Sequence, residues 1–238
     1  MTNHAEDKAF YDDQGDAQDP VWTTWYNSQR FASYLRVSES LVRGHFPDGQ
    51  HTSLELGAGS CTLSLALSHL PIFGRMICMD ISAERMQALA PKVASAIPSA
   101  RPDKLEHIAG SFNEHLPFND ASIDIIFFDA SLHHASSPWD LLAECRRVLR
   151  PNGLLIAQRE QFLALASFGY VLRRLLRSEE VQAGVIENAF FRAQYEYFLR
   201  ARGFDPKFVG VAESTAQRAL SAFNGIIFSK WVISAMPT

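Results

Sequence analysis

The sequence predicts an α/β fold built on a doubly wound, mostly parallel sheet, and three observations carry that expectation. From Thr52 to Gln158, short apolar runs suited to strands alternate with amphipathic helical stretches. Ile123–Phe128 reads as a strand covered on both faces, as parallel strands are. In LELGAGSCTLS, Leu54 to Ser64, Gly57 and Gly59 punctuate the passage from the first strand to the first helix.

The chain has 238 residues, of which 47% are hydrophobic, enough for one sizeable core without a second independent domain. Residues 1–20 carry six acids against one lysine and are expected to be an acidic mobile tail that orders on binding. Residues 21–46 turn aromatic and periodic; Phe31, Leu35, Leu41 and Val42 suggest an amphipathic helix serving as an N-terminal lid. The core then occupies 47–238.

PDGQ, 47–50, is a turn signal, followed by a strand at Thr52–Leu56 and a helix at Ser60–Leu70. Arg75–Met79 is the second strand, closed by Asp80, and Ser82 caps a helix running to Ala96. A weak strand at Leu105–Ala109 precedes Ile123–Phe128. Ser137 and Pro138 start the helix WDLLAECRRVLR, which PNG ends before a strand at Leu154–Gln158. Residues 161–186 read as a helical insertion, longer than an ordinary connection and expected to cap the substrate. Glu187–Arg202 is amphipathic and ends at Gly203; Pro206–Val211 and Gly225–Ser234 read as the last two strands.

A net charge of −4 gives no global attraction to nucleic acid or anionic lipid, so the expected partner is a small molecule, with neither nucleic acid nor membrane. No run of 18 apolar residues is present, and the first twenty residues lack the pattern of a signal peptide, so a cytoplasmic location is expected. Cys61, Cys78 and Cys145 are an odd, widely spaced set without a CxxC pair, which argues against a disulfide framework or a zinc site. Oligomeric state is left open.

Ligands of open α/β sheets sit beyond the carboxyl ends of the strands, where the first glycine-rich turn lies. Gly57 and Gly59 let the backbone turn and let a ligand approach. The dinucleotide fingerprint G-x-G-x-x-G places Thr62 at its last position, which weakens a nicotinamide reading.

Glu55, Gly57 and Gly59, with Cys61 in place of a final glycine, resemble the first motif, E/D-x-G-x-G-x-G, of the class I S-adenosylmethionine-dependent methyltransferases. The resemblance continues in ICMDIS with Asp80, and in AGSFNEHLPFNDASIDIIFFD, where Ser111 replaces a usual acid. SPWDLLAECRRVLRPNGLLI is similar to that family's E-x-x-R-V-L-K-P-G-G at Glu144, Arg147, Val148, Leu149, Pro151 and Gly153. It covers residues 51–160 and implies a Rossmann-like seven-stranded sheet with an antiparallel last strand, and S-adenosylmethionine as cofactor. Transferred residue by residue, it implies cofactor contacts from Glu55, Gly57, Ala58, Gly59, Asp80 and Ile81, from Ser111, Phe112 and Asn113 near adenine, and from Asp129. Asp80 is expected at the ribose hydroxyls, against the plainer reading of a helix cap.

In FFDASLHHASS, His133 and His134 follow the fourth strand, where the cofactor's methyl group is expected to point. They are read as catalytic or substrate-orienting, against a packing and capping role, because a neutral imidazole accepts a proton near pH 7. A metal site with Asp129 as third ligand is weighed and none is expected, since adjacent positions rarely converge on one ion. Cys61 is read as a packing residue rather than a nucleophile. Trp22, Trp25, Tyr26 and Phe31 suit a lid or an apolar edge. Phe162, Phe168, Tyr170, Phe190, Phe191, Tyr195 and Tyr197 suit a substrate pocket or the core, and the RRLLR run at 173–177 suits a solvated face. The expected reaction is methyl transfer to an O, N or C nucleophile of a small, partly apolar or aromatic metabolite. The rivals are a nicotinamide-dependent oxidoreductase and a non-catalytic cofactor-binding scaffold.

Overall fold

The computed structural model describes residues 4–13, 26–164, 168–211 and 230–238. Helices α1 (His4–Asp13) and α2 (Gln29–His45) precede the sheet. The alternating series is β1 (His51–Leu56), α3 (Thr62–Leu67), β2 (Phe73–Asp80), α4 (Ala83–Ala96), β3 (Leu105–Ala109), β4 (Ile123–Asp129), α5 (Pro138–Val148) and β5 (Leu149–Gln158). After it come β6 (Phe162–Leu163), α6 (Phe168–Leu175), α7 (Glu179–Gln182), β7 (Phe190–Phe191), α8 (Arg192–Ala201), β8 (Phe204–Gly210) and β9 (Trp231–Pro237).

Seven strands form one sheet in the order β3-β2-β1-β4-β5-β9-β8. β1 to β5 pair in parallel, and β9 runs antiparallel to both its neighbours. The order reverses between β1 and β4, which puts the ligand crevice of a doubly wound sheet at their carboxyl ends.

The period-two alternation of the strands feeds two apolar layers. Leu54, Leu56, Ile126, Phe128 and Leu155 face Leu141, Leu142 and Cys145 of α5 and Tyr195 and Leu199 of α8. Ile125, Phe127 and Ile156 face the other way, toward Tyr34 and Val42 of α2 and Leu63 and Leu67 of α3. Every residue of β4 is buried, including Asp124, whose carboxylate accepts from the Thr52 N–H and from Arg150 Nη1. The E-x-x-R pair of α5 is structural: Arg147 binds Glu144, Asp120 and the carbonyls of Leu116 and Phe118, while Glu144 accepts from the Leu116 N–H.

Local chemistry sets the helix ends. Ser28, Ser82 and Ser137 accept, through their hydroxyls, from the N–H groups of Phe31, Arg85 and Asp140, and Pro138 occupies the first position of α5. Helix α3 starts later than the pattern expects, because Gly57, Gly59 and Cys61 all hold left-handed backbone, and it ends earlier, at Leu67, where the chain passes into turns. The 161–186 stretch is not a continuous helix: β6 pairs with β7, and α6 and α7 lie between them. The helix expected from Glu187 begins only at Arg192, since residues 187–191 are extended toward the sheet end. His4–Asp13, read from sequence as part of a tail, forms α1. Trp22, Trp25 and residues 225–229 lie outside the described residues. Among the described residues no helix is long and apolar enough to cross a membrane, and the three cysteines are free and buried.

One buried polar chain ties α2 to the carboxyl edge: Ser38 donates to Gln158 Oε1 (2.6 Å), and Gln158 Nε2 donates to Asp129 (2.9 Å). Replacing Gln158 with leucine strands the Ser38 hydroxyl. The expected loss is about 1–3 kcal/mol of stability, read from the chemical denaturation midpoint. Adding Ser38→Ala should recover part of it, and an unchanged midpoint in Gln158→Leu contradicts the account.

Candidate functional site

A cavity of about 380 Å³ opens at the carboxyl ends of β1, β2 and β4. Its wall brings together Glu55, Gly57, Ala58, Gly59, Asp80, Ile81, Ser111, Phe112, Asn113, Asp129 and His134. His133 does not line it and stands buried behind His134.

The turn after β1 is fixed by backbone geometry. Gly57 has φ 71°, and a Cβ there would lie 2.6 Å from Ser131 Cβ, so the loop after β4 approaches as it does only because the side chain is absent. The N–H groups of Gly57 and Ala58 both donate to Met79 O, lashing the turn to β2. Cys61 is buried against Cys78; their hydrogen bond and burial push its thiol well above the usual range, which removes it as a thiolate nucleophile.

Asp80 ends β2 with both carboxylate oxygens engaged by backbone: Oδ2 accepts from Gly59 N–H (2.7 Å) and Oδ1 from Ser82 N–H (2.9 Å). Helix capping through an oxygen belongs to Ser82, and burial raises the Asp80 pKa. Glu55 lies under the turn and accepts from Ser64 N–H (3.1 Å) and Ser64 Oγ (2.5 Å). Burial, reinforced by Asp129, lifts its pKa to about 8.

The loop after β3 is cross-braced to the histidine loop. Asn113 Oδ1 accepts from Ser136 N–H (2.8 Å), Asn113 Nδ2 donates to His134 O (3.4 Å), and Ser111 Oγ accepts from Asn113 N–H. Asp129 accepts from Gln158 and from Arg159, whose own φ of 59° turns its guanidinium back onto the carboxylate. Its charge is thereby matched inside the protein, and it takes no part in the histidine cluster.

That cluster is built by two residues the sequence pattern did not single out. Glu160 accepts from the N–H groups of Ser131, Leu132 and His133 and sits 2.6 Å from His133 Nδ1. Glu187 stands 3.5 Å from His133 Nε2 and 3.1 Å from His134 Nδ1. His134 Nδ1 also contacts Ile186 O at 2.6 Å, and burial with His133 alongside lowers the His134 pKa to about 3, so its imidazole is neutral. Glu160 lies two residues past a strand and Glu187 a further 27 along an irregular stretch; no periodicity marks either.

The outer wall comes from Asp7 and Tyr11 of α1 and from Arg85, Glu180, Val185 and Ile186. Tyr11 covers Arg85, with the guanidinium 5.2 Å from the ring centre, and Ser82 Oγ donates to Asp12 (2.5 Å). Of the aromatics that suit a pocket or the core, Phe162 and Tyr195 are core, while Phe168 and Tyr197 are exposed and do not line the cavity. Tyr26 and Phe31 pack on each other.

Residues 54–157 match the family model described as "Methyltransferase domain". The chain is 34% identical over 92 residues to 27-O-demethylrifamycin SV methyltransferase of Amycolatopsis mediterranei, an alignment covering 39% of this chain and 33% of that one. It is 32% identical over 174 residues to malonyl-[acyl-carrier protein] O-methyltransferase of Methylococcus capsulatus, covering 71% and 58%. The chain thus spans about a third and somewhat over half the length of these two relatives. Its fold is similar to that of Burkholderia thailandensis 1,6-didemethyltoxoflavin-N1-methyltransferase, solved with 1,6-didemethyltoxoflavin and S-adenosylhomocysteine bound, at TM-score 0.62 and 17% identity, covering 98% and 88% of the chains. The chain carries a class I methyltransferase domain, and the cofactor of that domain is S-adenosylmethionine.

The residues fit that cofactor. The Asp80 oxygens each take only one N–H, leaving lone pairs for two further donors, and a Cβ at Gly59 would meet nothing nearer than the Arg85 side chain at 3.8 Å, so the turn is open to a ligand there.

Two outcomes follow. Because the folded-state pKa of Glu55 lies near 8, above its ordinary 4.5, folding takes up a proton between those values and stability falls as pH rises through that window. The melting temperature should therefore decline more steeply from pH 5 to 9 in the wild type than in Glu55→Gln; parallel curves contradict the assignment. Gly57→Ala should weaken S-adenosylhomocysteine binding by about tenfold or more in calorimetry, since a left-handed backbone and a 2.6 Å approach both resist the methyl group.

Proposed function

We propose that the protein is an S-adenosylmethionine-dependent methyltransferase acting on an O, N or C nucleophile of a small, partly apolar or aromatic metabolite. The observation that carries this is the convergence, in one cavity, of the left-handed Gly57–Gly59 turn with the buried, doubly braced Asp80 carboxylate.

Asp80 accepts the ribose hydroxyls in this reading, Ile81 and Phe112 flank the nucleoside, and Ser111 and Asn113 lie on the adenine side. Glu55 acts through the turn, which with Gly57, Ala58, Gly59 and Asp129 receives the methionine end. The cofactor, when bound, supplies a methyl group already activated by its sulfonium charge. The chain's own tasks are then alignment and exclusion of water. α1 closes the outer wall with Tyr11, beside Val185 and Ile186, a surface suited to an apolar or aromatic acceptor.

His133 and His134 handle the acceptor. His134 presents its imidazole to the cavity, and His133, fixed by Glu160, sets the position of the loop that carries it. The two named relatives are both O-methylating by name, which supports oxygen among the three nucleophiles. Three free, buried cysteines agree with a cytoplasmic setting.

Thr62 weighs against the nicotinamide rival: it is buried, its hydroxyl 2.7 Å from Ser60 Oγ, at the point where that fingerprint needs a residue small enough for close packing. A scaffold would bind the cofactor and methylate nothing. The first test is calorimetry with S-adenosylhomocysteine on wild type and Asp80→Ala, with thermal unfolding as the check on folding. Removing charged hydrogen bonds to two hydroxyls should cost about ten- to a hundredfold in affinity. Unchanged affinity contradicts the ribose assignment.

A further inference from the structure

We propose that His133, His134 and Glu187 form a binding site for one divalent transition-metal cation of the zinc type, at the acceptor side of the cavity. The proposal rests on the preceding reading only for what lies beside the ion; the site itself stands on its own geometry.

Glu187 is brought to the histidines by its neighbour. Asn188 donates its N–H to His133 O and its Nδ2 to Ala135 O, both at 3.0 Å, so the two loops are locked together. One Glu187 oxygen, Oε1, accepts from Gln161 Nε2 at 2.8 Å. The other, Oε2, is buried in a side chain only 8% exposed, has no hydrogen-bond partner, and is aimed between the imidazoles. A buried carboxylate oxygen left without a hydrogen bond carries a desolvation cost.

Two of the three spacings are those of a coordination shell. The three donor atoms lie within 4.8 Å of one another, with Oε2 3.5 Å from His133 Nε2 and 3.1 Å from His134 Nδ1. Tetrahedral zinc with bonds of 2.0–2.1 Å sets its ligand atoms about 3.3–3.4 Å apart. Two imidazoles and one carboxylate are the donor set of catalytic zinc sites, which keep a fourth position for water or substrate. Here His134 lines the cavity, so that position faces the acceptor.

Behind the ligands stands the support such sites need. Glu160 accepts three backbone N–H groups and also accepts from His133 Nδ1–H in a 2.6 Å hydrogen bond, which leaves the lone pair on Nε2, facing Glu187. A carboxylate holding the far nitrogen of a ligating histidine orients the ring and raises its basicity. His134 would ligate through Nδ1, its proton moving to Nε2 and its contact with Ile186 O giving way. Adjacent histidines rarely converge on an ion, which is why the sequence pattern expects none. The fold alters this by delivering Glu187 from more than fifty residues away. An ion there would hold an acceptor oxygen and lower its pKa, making a hydroxyl, phenol or enol the acceptor class.

The test uses the full, untagged chain after chelator treatment, titrated with Co(II) while its ligand-field absorption is followed, then with Zn(II) in competition. S-adenosylhomocysteine binding is measured on the same samples. One equivalent of Co(II) with tetrahedral bands is expected, with affinity falling about a hundredfold in Glu187→Gln and about ten- to a hundredfold in Glu160→Gln. Wild-type chain that binds S-adenosylhomocysteine but no Co(II) or Zn(II) at micromolar concentration overturns the site. So does one-equivalent binding that persists unchanged in both Glu187→Gln and His133→Asn. Metal binding without S-adenosylhomocysteine binding keeps the site and defeats the methyltransferase reading instead.

Discussion

The Asp80 carboxylate is the junction on which the site depends. By accepting from Gly59 on one oxygen and Ser82 on the other, it holds the turn after β1, the end of β2 and the start of α4 in one register. The geometry is possible because Gly57 and Gly59 take left-handed backbone, and Cys61 follows them at φ 57°. The cavity floor is therefore a consequence of backbone conformation more than of side-chain packing. Glu55 supports it from below through Ser64, so a neutral carboxyl group inside the core stands where an ionised one would be expensive.

The opposite wall follows another rule: buried charge is matched locally. Asp129 is answered by Arg159 and Gln158 and Glu160 by three backbone N–H groups, and the same holds at the far, amino end of β4, where Arg150 answers Asp124. Glu187 breaks the pattern, with one oxygen satisfied and one not, beside two imidazoles at the edge of the cavity. A departure from charge matching, placed at the acceptor side of a cofactor fold, is where function is to be sought.

The sheet was legible in the sequence because parallel strands buried on both faces are apolar throughout, and β3 and α4 match their expected bounds. The positions of the glycine turn and of Asp80 were legible, because glycines closing one strand and an acid closing the next mark strand ends; that the Asp80 oxygens accept from Gly59 and Ser82 was not. Glu160 and Glu187 were not, since a carboxylate beside a histidine 27 or 54 positions away leaves no periodic trace. The aromatic residues left two readings open, a pocket or the core, because both bury apolar rings, and Phe162 of β6 and Tyr195 of α8 are buried in the core. Tyr11 was hidden in an acidic stretch whose composition suggests a solvated tail, although α1 turns that residue inward over Arg85.

The central claim is that this crevice selects S-adenosylmethionine over a dinucleotide, and competition calorimetry on the intact chain with S-adenosylhomocysteine and NAD tests it most directly. The account predicts saturable one-to-one binding of S-adenosylhomocysteine that NAD does not displace. Tight NAD binding, with no heat from S-adenosylhomocysteine, would contradict it.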